Sequence, residues 1–485
     1  MKYCSTRGGV KGVSFSEVLL SNYAPDGGLY VPENLPRIGR ETLRSWAALG
    51  YQELLQEIFS LFVSPEELTP QEMQSIFEGV FDGFDAPDVL PVVKVGPVHV
   101  AEAWHGPTGV FKDLTLHVLA RLSNHFLEKR GQRATILVST TGDTGGTAIR
   151  SVQGMKNLRA IVAYPRRTVS RVQELQMTTT GSENAVVFSH DGISDDLDLI
   201  LRNIFQDGEL RKRHTLLSFN SIHTVRVLLN AVHFVYVYLR VAPEADQSVL
   251  VSVPTGGVGN AAGGVMAAEM GVPIKILSAV NENDVVHRAF TLGDFSIARA
   301  QIPTHAPSLD SNLPHNIERV FYFALNGDAA ALKRVMEDFE QTQKSVLPGK
   351  ICDSFRHFLT ASVNKEQCLE TMKSVWREFG YAVCPHTAVA WKPAAEYATS
   401  TSQNGDVGIG GETGPPAERC KVVVVFSTAS PAKFPETLSL VSVPVPPAAW
   451  VTELAGKKER KLLLDKGGDW EGILRETIAS SQGFL

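Results

Sequence analysis

A lysine beside a tight turn is the first chemically suggestive group in this sequence. Residues 104–113 read Trp-His-Gly-Pro-Thr-Gly-Val-Phe-Lys-Asp, and an apolar, helix-compatible run follows over residues 114–126. Lys112 thus stands near a helix start, next to a Gly-Pro-Thr-Gly turn. Two roles are open to it. One is that of a surface lysine in the first turn of an amphipathic helix. The other is that of a rigidly held, partly desolvated amine that binds pyridoxal phosphate (PLP) as a Schiff base.

Two glycine-rich stretches could serve such an amine. Residues 249–254 form a buried strand pattern that runs into Thr-Gly-Gly-Val-Gly-Asn at 255–260 and then a small-residue helix. Glycines let successive N–H groups converge on an anion, and a helix start adds favourable dipole charge. Gly256, Gly257, Val258, Gly259 and Asn260 are therefore either a phosphate cradle or a tight turn with close helix packing. No Gly-Lys-Ser/Thr ending makes it a Walker loop, and no acidic residue downstream completes a dinucleotide fingerprint. The second stretch, residues 139–147, reads Ser-Thr-Thr-Gly-Asp-Thr-Gly-Gly-Thr. Its hydroxyls and amides could hold a carboxylate, with Asp143 orienting a cofactor hydroxyl, or it is simply a capping turn. Thr428 ends a strand pattern, where its hydroxyl reaches either a pyridine nitrogen or local backbone. Arg226 sits in an apolar helix, where it either meets an anionic partner or snorkels to water.

The elements that would position these groups alternate between strand and helix. Strand patterns at 135–139, 159–165, 185–188, 249–254, 274–280 and 421–426, with helices between them, predict mostly parallel sheets covered on both faces. Residues 89–100 give two short strands around a Gly-Pro turn. Residues 1–95 form a separate, mainly helical unit: a short helix near 15–20, helical periodicity over 43–62, and a helix start at Thr69-Pro70 with acid in its first turn. The stretch 329–379 reads as mostly helical, and the charged residues 457–461 read as a solvated helix end. The organisation expected is 1–95 as an N-terminal domain, 96–400 as the α/β catalytic region of two subdomains, 401–420 as an exposed loop or insertion, and 421–485 as a segment completing the catalytic region.

Composition narrows the classes. The 485 residues are 44% hydrophobic and 20% charged, with a formal net charge of -6 and no long basic block, which argues against nucleic acid as the main partner. Five cysteines without metal-ligand spacing predict neither a metal site nor a disulfide framework. No segment offers ~20 uninterrupted apolar residues. The apolar run 225–241 is broken by Asn230, His233 and Arg240, so a buried helix is expected there. With no apolar signal core in residues 1–12, a reducing, cytoplasmic location is expected.

Eight ordered motifs make the chain resemble the threonine synthase family over nearly its full length. They are residues 23–32 (Tyr-Ala-Pro-Asp-Gly-Gly-Leu-Tyr-Val-Pro), 105–113, 141–145, 173–179 (Gln-Glu-Leu-Gln-Met-Thr-Thr), 220–222 (Asn-Ser-Ile), 256–260, 384–390 (Cys-Pro-His-Thr-Ala-Val-Ala) and 428–435 (Thr-Ala-Ser-Pro-Ala-Lys-Phe-Pro). The resemblance implies PLP fold type II, the tryptophan synthase β-like α/β fold: two α/β domains with an N-terminal mainly helical cap. It places the Schiff-base lysine at Lys112 and the cofactor-phosphate loop at Gly256, Gly257, Val258, Gly259 and Asn260. Thr428 falls where the family faces the pyridine nitrogen. Thr141, Gly142, Asp143 and Thr144 fall beside the cofactor ring and substrate carboxylate, and Asn220, Ser221 and Arg226 fall near the substrate phosphate.

Further implications concern chemistry. The partners implied are small phosphorylated amino acids, without nucleic acid or membrane, for either a monomer or a homo-oligomer. O-phosphothreonine or O-phosphohomoserine would lose phosphate, and water addition would then give threonine, whereas release would give 2-oxobutyrate and ammonia. The resemblance to the animal branch of the family implies the second fate, a phospho-lyase. Alternatives are a true threonine synthase and a non-catalytic interaction protein that keeps the scaffold. Microbial members usually read Asn-Trp-Ala-Arg after Ser-Ile, where this chain has His223-Thr224-Val225-Arg226. They usually carry His where this chain has Ser430. These departures put His223, Thr224 and Ser430 forward as places where control of the water is lost.

Overall fold

A computed structural model describes residues 1–192, 194–297, 300–348, 355, 357–402 and 419–480. Two largely parallel sheets organise it. The six-stranded sheet runs, edge to edge, Phe358–Ser362, Ile274–Val280, Val249–Pro254, Val422–Ser427, Val98–Glu102 and Val92–Val95. Only its last pair is antiparallel, a hairpin turning at Gly96-Pro97. The five-stranded sheet runs Leu462–Leu464, Ala185–His190, Leu158–Pro165, Ala134–Ser139 and Thr215–Ser218, all parallel. Parallel strands are covered by helices on both faces, so they read as unbroken apolar runs. Val249–Pro254 is buried at every position. The segment after residue 420 gives one strand to each sheet, Val422–Ser427 and Leu462–Leu464.

The helix Thr224–Val241 has the length and mean hydropathy of a membrane span, yet 89% of it is buried inside the protein. Its faces are all occupied. It packs on the helix Gly259–Glu269, where Asn230 Nδ2 donates to Gly259 O at 3.0 Å. The N-terminal unit meets it through Tyr51, whose hydroxyl lies 2.6 Å from His233 Nδ1 and whose ring sits edge-on to Tyr236. That unit pairs Tyr3–Ser5 with Tyr30–Pro32 and carries helices Phe15–Leu19, Arg40–Trp46, Tyr51–Ser60 and Pro70–Phe77. Ser14 with Glu17, and Thr69 with Glu72, close reciprocal caps at two helix starts.

The sequence pattern misleads in two places. Between helices Ala329–Thr342 and Lys365–Phe379, the stretch expected to be mostly helical holds the sheet-edge strand Phe358–Ser362 and a second short strand, Lys344–Val346. Both are too short for their alternation to compete with the helical periodicity around them. Residues 457–461 are not a helix end. They run extended into Leu462–Leu464, with Lys461 bonded to Glu174 at 2.6 Å. The insertion expected at 401–420 lies, from 403 to 418, outside the described residues. Cys4, Cys368 and Cys384 are buried free thiols, and Cys420 is also buried.

Candidate active site

The turn before Lys112 is locked by the aspartate after it. Thr108 donates to the Asp113 carboxylate through both its N–H (2.9 Å) and its hydroxyl (2.7 Å). The next residues pin the turn to the end of the strand Val422–Ser427: Phe111 N donates to Thr428 O at 2.8 Å, and Ser430 N to Gly109 O at 2.9 Å. Lys112 and Thr428, far apart in sequence, thereby enter one cleft. The cleft measures about 990 Å³ and opens beyond the carboxyl ends of strands Ala134–Ser139, Val249–Pro254 and Val422–Ser427. Ligands bind at such strand ends in open α/β sheets.

Thirteen of the sequence-predicted residues line this cleft: Lys112, Thr141, Asp143, Thr144, Asn220, Ser221, Arg226, Gly256, Gly257, Val258, Gly259, Asn260 and Thr428. Gly142 does not. It turns away from the cleft with φ of 119°, and a side chain there would meet Gln173 at 2.6 Å. His223, Thr224 and Ser430 also stay out of the cleft. His223 Nε2 bonds Leu19 O at 3.0 Å, the Thr224 hydroxyl donates to Tyr30 O at 3.3 Å, and Ser430 caps its own short helix by accepting from Ala432 N. The three lie outside the cleft lining, so any influence they have on a water at the substrate passes through other residues.

Burial sets the electrostatics. Lys112 is pushed down to about 8, chiefly by burial; Asp143 opposes the shift, while Arg226 and Lys433 add to it. Asp143 accepts from Lys112 at 3.4 Å, from Ser308 Oγ at 3.0 Å and from Gln173 Nε2 at 2.9 Å. Burial works against its charge, but Lys433, then Lys112, His386 and Gln173 hold it well below the usual carboxylate range. His386 is lowered to about 4 by burial, so it is neutral near pH 7. Its Nε2 accepts the Ser308 N–H at 3.2 Å. Arg226, 3% exposed, is lowered to about 10 by burial. It donates to Phe219 O at 2.7 Å, leaves Nε unpartnered, and has no carboxylate at ion-pair distance among the described residues.

The residues fit a bound phosphate ester. Val258 is left-handed (φ 63°) at the start of the helix Gly259–Glu269. The N–H groups of Gly256, Gly257, Val258 and Gly259 find no acceptor among the described residues. Both polar atoms of the Asn260 side chain are buried without a partner. The loop also leaves no room for side chains, since a Cβ at Gly256 would lie 2.5 Å from Ser308 O and one at Gly259 2.7 Å from Ser221 Cβ. Gly256→Ala is expected to cost about 1–3 kcal/mol from overpacking and to weaken cofactor retention at least tenfold. Equilibrium dialysis with PLP, beside thermal melts, checks both effects.

The sequence reading missed Lys433, His386, Ser308 and Gln173 as members of the site. All but Ser308 lie inside the quoted motifs, and the visible signal was a second lysine just past a buried strand. Because only the neutral amine attacks a carbonyl, capture of PLP by the cofactor-free chain should accelerate with pH and level off above about 8. Stopped-flow absorbance checks this. An amine at its ordinary value would keep accelerating to about pH 10.

Comparison with known proteins agrees with this geometry. Residues 2–81 match the family model "Threonine synthase N terminus" and residues 92–409 match "Pyridoxal-phosphate dependent enzyme". The chain is 36% identical to Threonine synthase-like 2 of Xenopus laevis, over 99% of this chain and 98% of the relative. It is 38% identical to Threonine synthase-like 2 of Rattus norvegicus, over 99% and 97%. The crystal structure of PLP-bound threonine synthase from Brucella melitensis superposes with a TM-score of 0.87 at 31% identity, over 99% of this chain and 98% of that one.

Proposed function

The chain belongs to the threonine synthase family of PLP-dependent enzymes, and we propose that it removes phosphate from O-phosphothreonine, and from O-phosphohomoserine, to give 2-oxobutyrate, ammonia and phosphate. The observation that carries this reading is the pairing, in one cleft, of a buried amine, Lys112, with a buried arginine, Arg226, that has no carboxylate at ion-pair distance among the described residues. A buried cation without a counter-charge is costly, and a phosphate dianion relieves that cost.

Lys112 is the group assigned to carry PLP. Gly256, Gly257, Val258, Gly259 and Asn260 would hold the cofactor phosphate, with Asp143 and Thr428 beside its ring. When bound, PLP supplies the electron sink that acidifies the substrate Cα–H. The free Lys112 amine then takes that proton as general base. Arg226, Asn220 and Ser221 hold the phosphate as it departs with the bonding electron pair, from Cβ of O-phosphothreonine once the Cα proton is lost, and from Cγ of O-phosphohomoserine once a proton has also left Cβ for Lys112. Thr141 and Thr144 offer hydroxyls to the carboxylate, and Gly142 supports them as backbone. The Thr428 hydroxyl has no acidic proton to give to a pyridine nitrogen, which favours elimination over racemisation or transamination.

Release rather than hydration follows from the lack of a spare base. Asp143 is neutralised by Lys433, and His386 spends its accepting nitrogen on Ser308. Of the three groups Lys112, Asp143 and His386, Lys112 is the one left free to act as a base. The released enamine takes up a proton and is hydrolysed in water to 2-oxobutyrate and ammonia. Incubation of the PLP-loaded protein with O-phosphothreonine should release phosphate and 2-oxobutyrate in equal amounts. Phosphate release without 2-oxobutyrate, or no turnover by protein that has bound PLP, would overturn the reading.

A further inference from the structure

Asp143 divides its two oxygens between two lysines. Oδ2 faces Lys112 Nζ at 3.4 Å and the Ser308 hydroxyl at 3.0 Å. Oδ1 takes Lys433 Nζ at 3.1 Å and Gln173 Nε2 at 2.9 Å. Lys433 is fully buried and lies behind the cleft, not in its lining. Its ammonium donates to Thr108 O at 2.9 Å and to Gln176 Oε1 at 2.7 Å, and forms an ion pair with Asp143 Oδ1 at 3.1 Å. It cannot swing toward substrate without stranding these partners.

Its backbone is equally fixed. Lys433 ends the short helix Pro431–Lys433 capped by Ser430, and its carbonyl accepts from Ser170 Oγ at 2.7 Å. Thr108 belongs to the turn that Asp113 locks ahead of Lys112, and Gln176 also donates to Thr108 O at 2.9 Å. One buried ammonium therefore ties together the Lys112 turn, the helix Arg171–Thr178 and the Asp143 loop.

Charge counting gives this arrangement a purpose. With Lys112 as its only cation, Asp143 would hold that amine protonated, since an opposite charge at such range favours the charged form. A protonated Lys112 neither attacks a carbonyl nor abstracts a proton. The charged and titratable groups facing Lys112 are Asp143, Lys433, Arg226 and His386. Only Asp143 pulls toward protonation, and Lys433 is the cation that contacts it besides Lys112 itself.

We propose that Lys433 is a positioning residue, the counter-ion of Asp143, which holds that carboxylate in place and offsets its charge so that Lys112 can exist uncharged in the cleft. The proposal rests on the reading of Lys112 as the reactive amine. It concerns the state of that amine, not the fate of the product.

Competitive acetylation of the cofactor-free full chain, read at Lys112 by peptide mass spectrometry over about pH 6–11, measures the Lys112 titration directly. It needs neither PLP nor substrate, so its outcome is independent of whether the protein proves to be a phospho-lyase. In Lys433→Met the midpoint should rise by at least about one pH unit, with about tenfold slower labelling near neutrality. In Lys433→Met/Asp143→Asn it should fall back to or below the wild-type midpoint, since neither charge is left. A midpoint that stays put or falls in the single variant would overturn the proposal. If the single variant fails to fold while the double variant folds, an obligate charge pair is supported. If both fail, Lys433 is only a packing element and the proposal is wrong.

Discussion

Lys112→Ala is expected to lower phosphate release from O-phosphothreonine by about 10³-fold or more, because one amine both anchors the cofactor and takes the proton. The fold should survive the change. Asp143 keeps Lys433 at 3.1 Å and Gln173 at 2.9 Å, so no buried carboxylate is stranded. The turn ahead of Lys112 is held by Thr108 and Asp113, not by the lysine side chain. Circular dichroism and the melting temperature should therefore stay near wild type, while the visible absorbance of bound PLP disappears. Retained turnover would remove Lys112 from the chemistry. A gross loss of structure would mean that its ammonium is a structural partner of Asp143, contrary to the role given to Lys433.

Arg226→Met is expected to produce the second largest effect, about a 10²–10³-fold loss in kcat/KM for phosphorylated substrates, the range of about 2–5 kcal/mol for removing one partner of a buried charged pair. The thermal behaviour should be the reverse of the usual core substitution. The guanidinium is buried and lowered to about 10 with no carboxylate to offset it. Methionine fills similar volume without that desolvation cost. Without anions, Arg226→Met should melt at or above the wild-type temperature. Inorganic phosphate should raise the wild-type melting temperature and leave the variant's unchanged. If phosphate stabilised both alike, Arg226 would not be its ligand.

Most of the fold was legible because buried parallel strands have a strong signature. The strands predicted at 249–254 and 274–280 are the strands Val249–Pro254 and Ile274–Val280. Phe358–Ser362 was not legible, since five residues between two long helices carry too little alternation. The helix at Arg226 was legible, and so was the dilemma of its charge. That it stays buried instead of reaching water depends on tertiary packing alone.

The site was less legible than the fold. Lys112 and the 256–260 loop stand on turns whose residue types announce them. Lys433 reaches Asp143 only because the 428–435 segment folds back across the Lys112 turn, a pairing over 290 positions that no local pattern encodes. Gly142 differs in another way: it stands inside a quoted motif but outside the cleft lining, with Gln173 filling the space where a side chain would be. At His223, Thr224 and Ser430, departure from a family pattern marked positions that the structure turns away from the cleft.

The product formed from O-phosphohomoserine tests the central claim most directly, since both fates begin with the same loss of phosphate and differ only in the addition of one water. Purified, PLP-loaded protein should yield 2-oxobutyrate and ammonia in step with phosphate, with threonine a minor product. Threonine as the dominant product would contradict the account, because the cleft would then hold and activate a water that neither the ion-paired Asp143 nor the hydrogen-bonded His386 is free to serve.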